Sequence, residues 1–219
     1  MIRTNSHGLT FEQYTGAVRS QLESGLPGSR YQMLMAPDFI PPHHQNSPVS
    51  DAAVMILLLP VNQEPALLLI RRKTDTSVHS GQISLPGGKR ELYDRDLIHT
   101  AVRETAEETG FPIDKITVLG TLTRLLIAVS RFDVLPVVGC SPANIKLTPN
   151  TGEVEEIYKI PVSRLTEEKS IIKQTLQIRG HAVEVPGYSL SGTFVWGATA
   201  MILSEFMEIH HRAISAHHP

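Results

Sequence analysis

One cysteine, Cys140, stands in a chain of 219 residues. An internal disulfide is therefore impossible, and no Cys or His cluster with zinc spacing surrounds it, so it reads as a small buried hydrophobe in a reducing compartment. Long apolar runs are missing too. The longest, Val54 to Val61, is broken by Pro60 and falls far short of the roughly 18 to 20 residues that cross a bilayer. No basic stretch followed by an apolar one opens the chain, as a secretory leader would require, and the last residues carry no Ser-Lys-Leu address. A cytoplasmic protein with no membrane partner is expected. Excess charge of one sign is also absent, with 20 Lys and Arg against 22 Asp and Glu. That balance provides no electrostatic footprint for nucleic acid, so an anionic ligand must be held by local groups.

Residues 10 to 23 read as a helix capped by Thr10, with Phe11, Tyr14, Val18 and Leu22 on one face. Residues 36 to 50 hold four prolines among polar residues and read as an irregular connector. Residues 1 to 50 thus form an extension expected to pack on a main domain spanning 51 to 215. Within that domain, Ala52 to Leu59 and Ala66 to Ile70 are continuous apolar segments of strand length. Gln82 to Leu85 reads as a short strand ending in a Pro86-Gly87-Gly88 loop, and Asp94 to Thr109 as a helix stopped by Gly110. Further strands are expected at Ile116 to Leu126, Phe132 to Val138, Val154 to Ile160 and Ile171 to Ile178. A last helix follows from about Trp196 to Arg212, with Trp196, Met201 and Phe206 in its core face. Strands flanked by helices predict an α/β architecture.

The chemistry concentrates after the glycine pair, in Arg103-Glu104-Thr105-Ala106-Glu107-Glu108-Thr109-Gly110-Phe111. On a helix, Glu104, Glu107 and Glu108 share a sector of about 100°, while Ile98, Ala101, Val102, Thr105 and Ala106 fill an adjacent apolar one. Carboxylates clustered near a helix C-terminus repel one another and oppose the helix dipole. Either Lys and Arg side chains neutralise them as a solvated acidic face, or they hold a hard cation such as magnesium, with Glu104 and Glu108 as the preferred ligands. The glycines would let backbone approach a phosphate chain closely.

These residues resemble the Nudix box, G-x(5)-E-x(7)-R-E-U-x-E-E-x-G-U with U aliphatic. Asp94 stands at the first Glu position, with eight residues between it and Arg103 instead of seven, and Thr105 replaces an aliphatic residue. The resemblance implies a Nudix-like α/β/α sandwich with a mixed β-sheet and a Mg2+ or Mn2+ cofactor. By it, Glu104 and Glu108 bind metal, Glu107 is a further ligand or helps deprotonate water, and Arg103 orients a neighbouring glutamate. Independently, pyrophosphate hydrolysis calls for charge neutralisation on phosphate oxygens and an in-line water, which a carboxylate-held metal supplies.

Upstream, Leu68-Leu69-Ile70-Arg71-Arg72-Lys73 and Val78-His79-Ser80-Gly81-Gln82-Ile83-Ser84-Leu85-Pro86-Gly87-Gly88 resemble the signature of the coenzyme A pyrophosphatase branch. Leu85 stands where Phe is usual and Ser77-Val78 where Leu-Arg is common. The branch resemblance implies cleavage of coenzyme A, or its acyl or oxidised derivatives, to adenosine 3',5'-bisphosphate and 4'-phosphopantetheine. A third phosphate favours Arg and Lys donors. Arg71, Arg72, Lys73, Lys89 and Arg90 are candidates, beside Gly87 and Gly88; each cation is otherwise ordinary surface charge. His79 could bond a phosphate or be structural, and Glu153 could activate water or simply end a strand. A Nudix hydrolase of ADP-ribose or another nucleoside diphosphate derivative is the alternative, and a catalytically idle ligand-binding module the alternative of another class. A homodimer is left open.

Overall fold

The computed structural model describes residues 8–39, 48–62, 64–74, 81–142, 145–190 and 192–216. His79 and most of the proline-rich connector lie outside them. Strands β1 (Ser50–Val61) and β2 (Glu64–Arg72) form an antiparallel hairpin. At its tip Asn62 has φ +47°, a left-handed conformation that asparagine tolerates. Two short strands follow, β3 (Ile83–Ser84) on β2 and β4 (Gly87–Lys89) on β1. The glycine pair expected as a loop is therefore an edge strand. Gly87 has φ +155°, and a Cβ there would stand 2.3 Å from the Ala53 carbonyl oxygen. Only glycine brings the β4 backbone that close to β1.

Strand β5 (Thr117–Thr121), β6 (Leu125–Ile127), β7 (Phe132–Cys140) and β8 (Val154–Pro161) complete the first sheet. Its main path runs β3-β2-β1-β7-β5, with β8 on β2 and β6 on β7. Because β1 and β7 pair in parallel while β1 and β2 are antiparallel, the sheet is mixed. The continuous strand expected over 116 to 126 is interrupted at Leu122–Arg124, where Thr123 turns away to donate its hydroxyl to Glu205 at 2.6 Å. A second sheet, β9 (Ile171–Ile178), β10 (His181–Leu190) and β11 (Thr193–Trp196), is an antiparallel meander. Its last two strands escape the sequence reading because Pro186-Gly187 breaks the β10 pattern.

Helices cover both faces of the mixed sheet, the sandwich that the sequence implies. Strand alternation sorts β1 between two cores. Met55, Leu57 and Leu59 face α3 (Leu97–Thr109, third of the five α-helices among the described residues), whereas Ile56 and Leu58 join the larger core. That larger core takes Tyr14, Val18 and Leu22 from α1 (Phe11–Ser24) and Leu203, Phe206 and Ile209 from α5 (Gly197–Ser215). Each such side chain contributes about 1.5 to 3 kcal/mol on burial. Short helices α2 (Ser29–Gln32) and α4 (Ser163–Thr166) are connectors. Thr10 and Gln13 form a reciprocal capping box at α1, and Tyr14 bonds His210 at 3.0 Å, tying the extension to α5. Phe206 is buried, while Trp196 is the half-buried residue before α5.

Helix α3 begins three residues later than expected. Asp96, not a residue ahead of Asp94, caps it by accepting the His99 N–H at 2.7 Å, which releases Asp94 to turn inward. Gly110 ends the helix in the left-handed conformation, φ +69°. Ile98 is exposed, so the packed side runs instead through Leu97, Ala101 and Thr105.

Candidate active site

Three strand ends and the last turns of α3 enclose a cleft of about 350 Å³. Gly87 and Gly88 enter from β4, Arg72 and Lys73 from the end of β2, and Gly152 and Glu153 from the loop before β8, with Glu104 and Glu108 as the floor. Glu108 is 1 % exposed. One carboxylate oxygen accepts the Gly87 N–H at 2.9 Å and the other lies 3.3 Å from the Arg72 guanidinium. Burial pushes this carboxyl up to about 7, against the opposing pull of the Gly87 N–H and Arg72. Glu104 is also raised, by burial first, with Arg103 opposing.

Behind the floor, Arg103 is buried and uses all five of its N–H donors. Its Nε and one terminal nitrogen each bond Asp94 at 2.9 Å, and that nitrogen also reaches the Lys89 carbonyl at 3.2 Å. The other terminal nitrogen is shared between Glu104 at 2.8 Å and Glu107 at 2.9 Å. Asp94 further accepts from the Glu91 N–H and the Thr100 hydroxyl and pairs with His99. The Arg103 guanidinium, foremost among these partners, holds its carboxyl well below the usual carboxylate range. One cation thus aims two glutamates, and one buried carboxylate aims the cation.

The cleft assembles Arg72, Lys73, Gly87, Gly88, Glu104, Glu108 and Glu153 out of the sequence candidates. Glu107 sits outside it, its side chain 53 % exposed. Arg71, next along β2, bonds the Tyr158 hydroxyl at 2.9 Å and lies 3.7 Å from Glu156. Arg90 is bonded to the Asp94 and Arg95 carbonyls, and the Lys89 side chain is exposed. Sequence reasoning did not find the Asp94–Arg103 pairing; the only signal was Asp94 at the first position of the box.

Oxygen donors of this kind suit magnesium or manganese. Glu108 is a carboxylate whose burial disfavours ionisation, a cost that a neighbouring divalent cation would offset. Gly88 leaves room for the adjoining donor: a Cβ there would stand 2.5 Å from a Glu104 carboxylate oxygen. Among the described residues no group of three or more His, Cys, Asp or Glu is arranged to hold a metal. Two carboxylates completed by substrate phosphate oxygens are the usual way magnesium is held. Gly88 does not have a positive φ, so Gly88→Ala is compatible with the backbone but displaces the Glu104 carboxylate. Its kcat/KM is expected to fall about a hundredfold with little change in melting temperature, as measured by steady-state hydrolysis beside a thermal melt.

The NUDIX domain model matches residues 49–177, more than half of the chain. This protein belongs to the Nudix family and is a Nudix hydrolase, a class that generally works with divalent metal ions. Among its relatives, a protein of Pectobacterium atrosepticum described as an uncharacterized Nudix hydrolase, NudL, is 37% identical over 180 residues, covering 81% of this chain and 89% of its own. The NudL of Photorhabdus laumondii is 32% identical over 180 residues, 82% of this chain and 94% of that one. Of solved structures, the M. smegmatis Nudix hydrolase RenU covers 79% of this chain and 89% of its own, at 17% identity and a TM-score of 0.49. No helix among the described residues is long and apolar enough to cross a membrane.

Proposed function

We propose that this enzyme splits the pyrophosphate of coenzyme A, or of its acyl or oxidised derivatives, to adenosine 3',5'-bisphosphate and 4'-phosphopantetheine in the cytoplasm. The observation that carries the reading is the opposition of cations and buried carboxylates in one cleft. Arg72 and Lys73 lie along one wall and Glu104 and Glu108 form the floor, a layout that suits a diphosphate bridge lying between them. The substrate rests on the likeness of the Arg71 to Gly88 stretch to the coenzyme A pyrophosphatase signature. The catalytic unit is assigned to residues 51–215, with the extension packed against it.

Magnesium or manganese, when held by Glu104 and Glu108, supplies charge neutralisation at the phosphate oxygens and acidifies water. Arg72 and Lys73 bind the anionic bridge, and the Gly87 N–H fixes the Glu108 carboxylate in direction. Arg103 keeps Glu104 in place. Glu107, outside the cleft and bonded to Arg103, is assigned to holding that guanidinium. Glu153, facing the floor from the opposite lip, accepts a proton from the attacking water as its oxygen joins phosphorus and the bridging P–O bond breaks. His79 is retained as a phosphate donor from the segment between Lys73 and Gly81.

Incubation with coenzyme A or ADP-ribose plus Mg2+ in 18O-labelled water, followed by mass analysis, tests the reading. Coenzyme A is expected to give the two products above, one bearing the label, with kcat/KM roughly tenfold or more above that for ADP-ribose. Preference for ADP-ribose would move the enzyme to nucleoside diphosphate derivatives. No metal-dependent turnover of either would favour the idle binding module.

A further inference from the structure

Glu153 stands on an exposed turn, yet a hydrolytic proton acceptor has to be held steady against its water. We infer that Asn150 is the positioning residue that fixes Glu153 over the cleft, an inference that rests on the proton-accepting role proposed for Glu153. Asn150 joins the two acidic groups through its own backbone. Its N–H donates to the Glu108 carbonyl at 3.0 Å, and its carbonyl accepts the N–H groups of Glu153 at 2.9 Å and Val154 at 2.8 Å. The Thr148 N–H bonds the Thr109 carbonyl at 2.9 Å alongside. Two orphan carbonyls at the end of α3 are thereby satisfied by the same loop that carries Glu153. From the far side, the Glu153 carbonyl accepts the Lys73 N–H at 2.8 Å, and the Lys73 ammonium donates to the Thr151 carbonyl at 3.2 Å.

All but one of the bonds made by Asn150 would survive any side chain except that of proline. The exception is its Oδ1, which accepts the Gly152 N–H at 3.1 Å and sets the turn immediately before Glu153. Asparagine and aspartate can make that bond; alanine cannot. Asn150 is exposed, so replacing it leaves the core intact while freeing the Thr151–Gly152 turn.

The test compares N150A, N150D, E153Q and N150A/E153Q with Mg2+ and whichever of coenzyme A and ADP-ribose turns over faster. N150A is expected to lose about tenfold in kcat with KM within about twofold of the parent, because Arg72, Gly87 and the floor glutamates lie outside the freed turn while the proton acceptor wanders. N150D, retaining the acceptor, is expected to restore kcat to within about threefold. In the E153Q background N150A should cost nothing further, since the two act through one group. An impaired E153Q beside a fully active N150A would overturn the inference while leaving the role of Glu153 standing. Multiplying losses in the double variant, or failure of N150D to rescue, would overturn it as well. An E153Q enzyme with undiminished kcat would bring down the Glu153 role itself, and this inference with it.

Discussion

Glu108→Gln is expected to lower kcat about a thousandfold and, at the same time, to stabilise the metal-free protein above neutral pH. The two effects share a cause. The glutamine keeps an oxygen for the Gly87 N–H but cannot offer an anionic oxygen to a divalent cation. In the parent, burial raises the Glu108 carboxyl to about 7, above the unfolded value near 4.3. A raised folded value means that the native state holds its proton more tightly than the unfolded chain. The corresponding stability is complete below the unfolded value and disappears as pH climbs through about 7. At one pKa unit per 1.36 kcal/mol, the ionised carboxylate costs the metal-free fold about 4 kcal/mol above that pH. Glu108→Gln removes this cost, so the decline in melting temperature expected of the parent between pH 5 and pH 8 should be absent from the variant. Added Mg2+ should raise the melting temperature of the parent and leave the variant unmoved. Undiminished hydrolysis by the variant would place the metal elsewhere. A lower melting temperature for it at pH 8 would show that the ionised carboxylate stabilises the fold.

Asp94→Ala should have the largest structural effect. It strips two bonds from a buried guanidinium and leaves the charge without its principal partner. Breaking a buried pair from one side typically costs about 3 to 5 kcal/mol, which for a chain of this size is a drop of roughly 10 °C in melting temperature. Activity should fall further than stability explains, because Arg103 is then free to turn from Glu104 and Glu107. The pH dependence has the opposite sign from that of Glu108. Asp94 is depressed in the fold, so its contribution is present above the ordinary carboxylate range and is lost as acid protonates it. The difference in stability between parent and variant should therefore persist from pH 8 to about pH 5 and shrink only in stronger acid. Melting within a degree or two of the parent at pH 7 would refute the assignment.

Much of this site is visible along the chain because a helix turns local spacing into direction. Glu104 and Glu108 are one turn apart, and any α-helix over them puts both carboxylates on one side. Their company is a different matter. Arg71 and Arg72 are equivalent candidates in sequence, yet one reaches Glu108 and its neighbour reaches Tyr158. Adjacent strand residues face opposite ways, and pairing with β8 shifts register between these two. Strand alternation limits them to opposite faces, but the face that meets α3 depends on the whole sheet. Asp94 is similar: a helix running from it would add it to the packed face of Leu97, Ala101 and Thr105, whereas the real start at Leu97 leaves it ahead of the helix, where it turns toward Arg103.

What the chain determines unaided is local and periodic: the apolar runs of β1 and β2, the capping box of α1, the glutamates of α3 and the glycine stop behind them. Those features depend on backbone geometry and side-chain chemistry within a few residues. Tertiary structure alone decided that Gly87-Gly88 would be an edge strand, that the Asn150 loop would cap α3, and that Glu153 would line the same cleft as Glu108. These depend on contacts between residues dozens of positions apart, and their direction is set only when the sheet register and the packing of α3 are both in place.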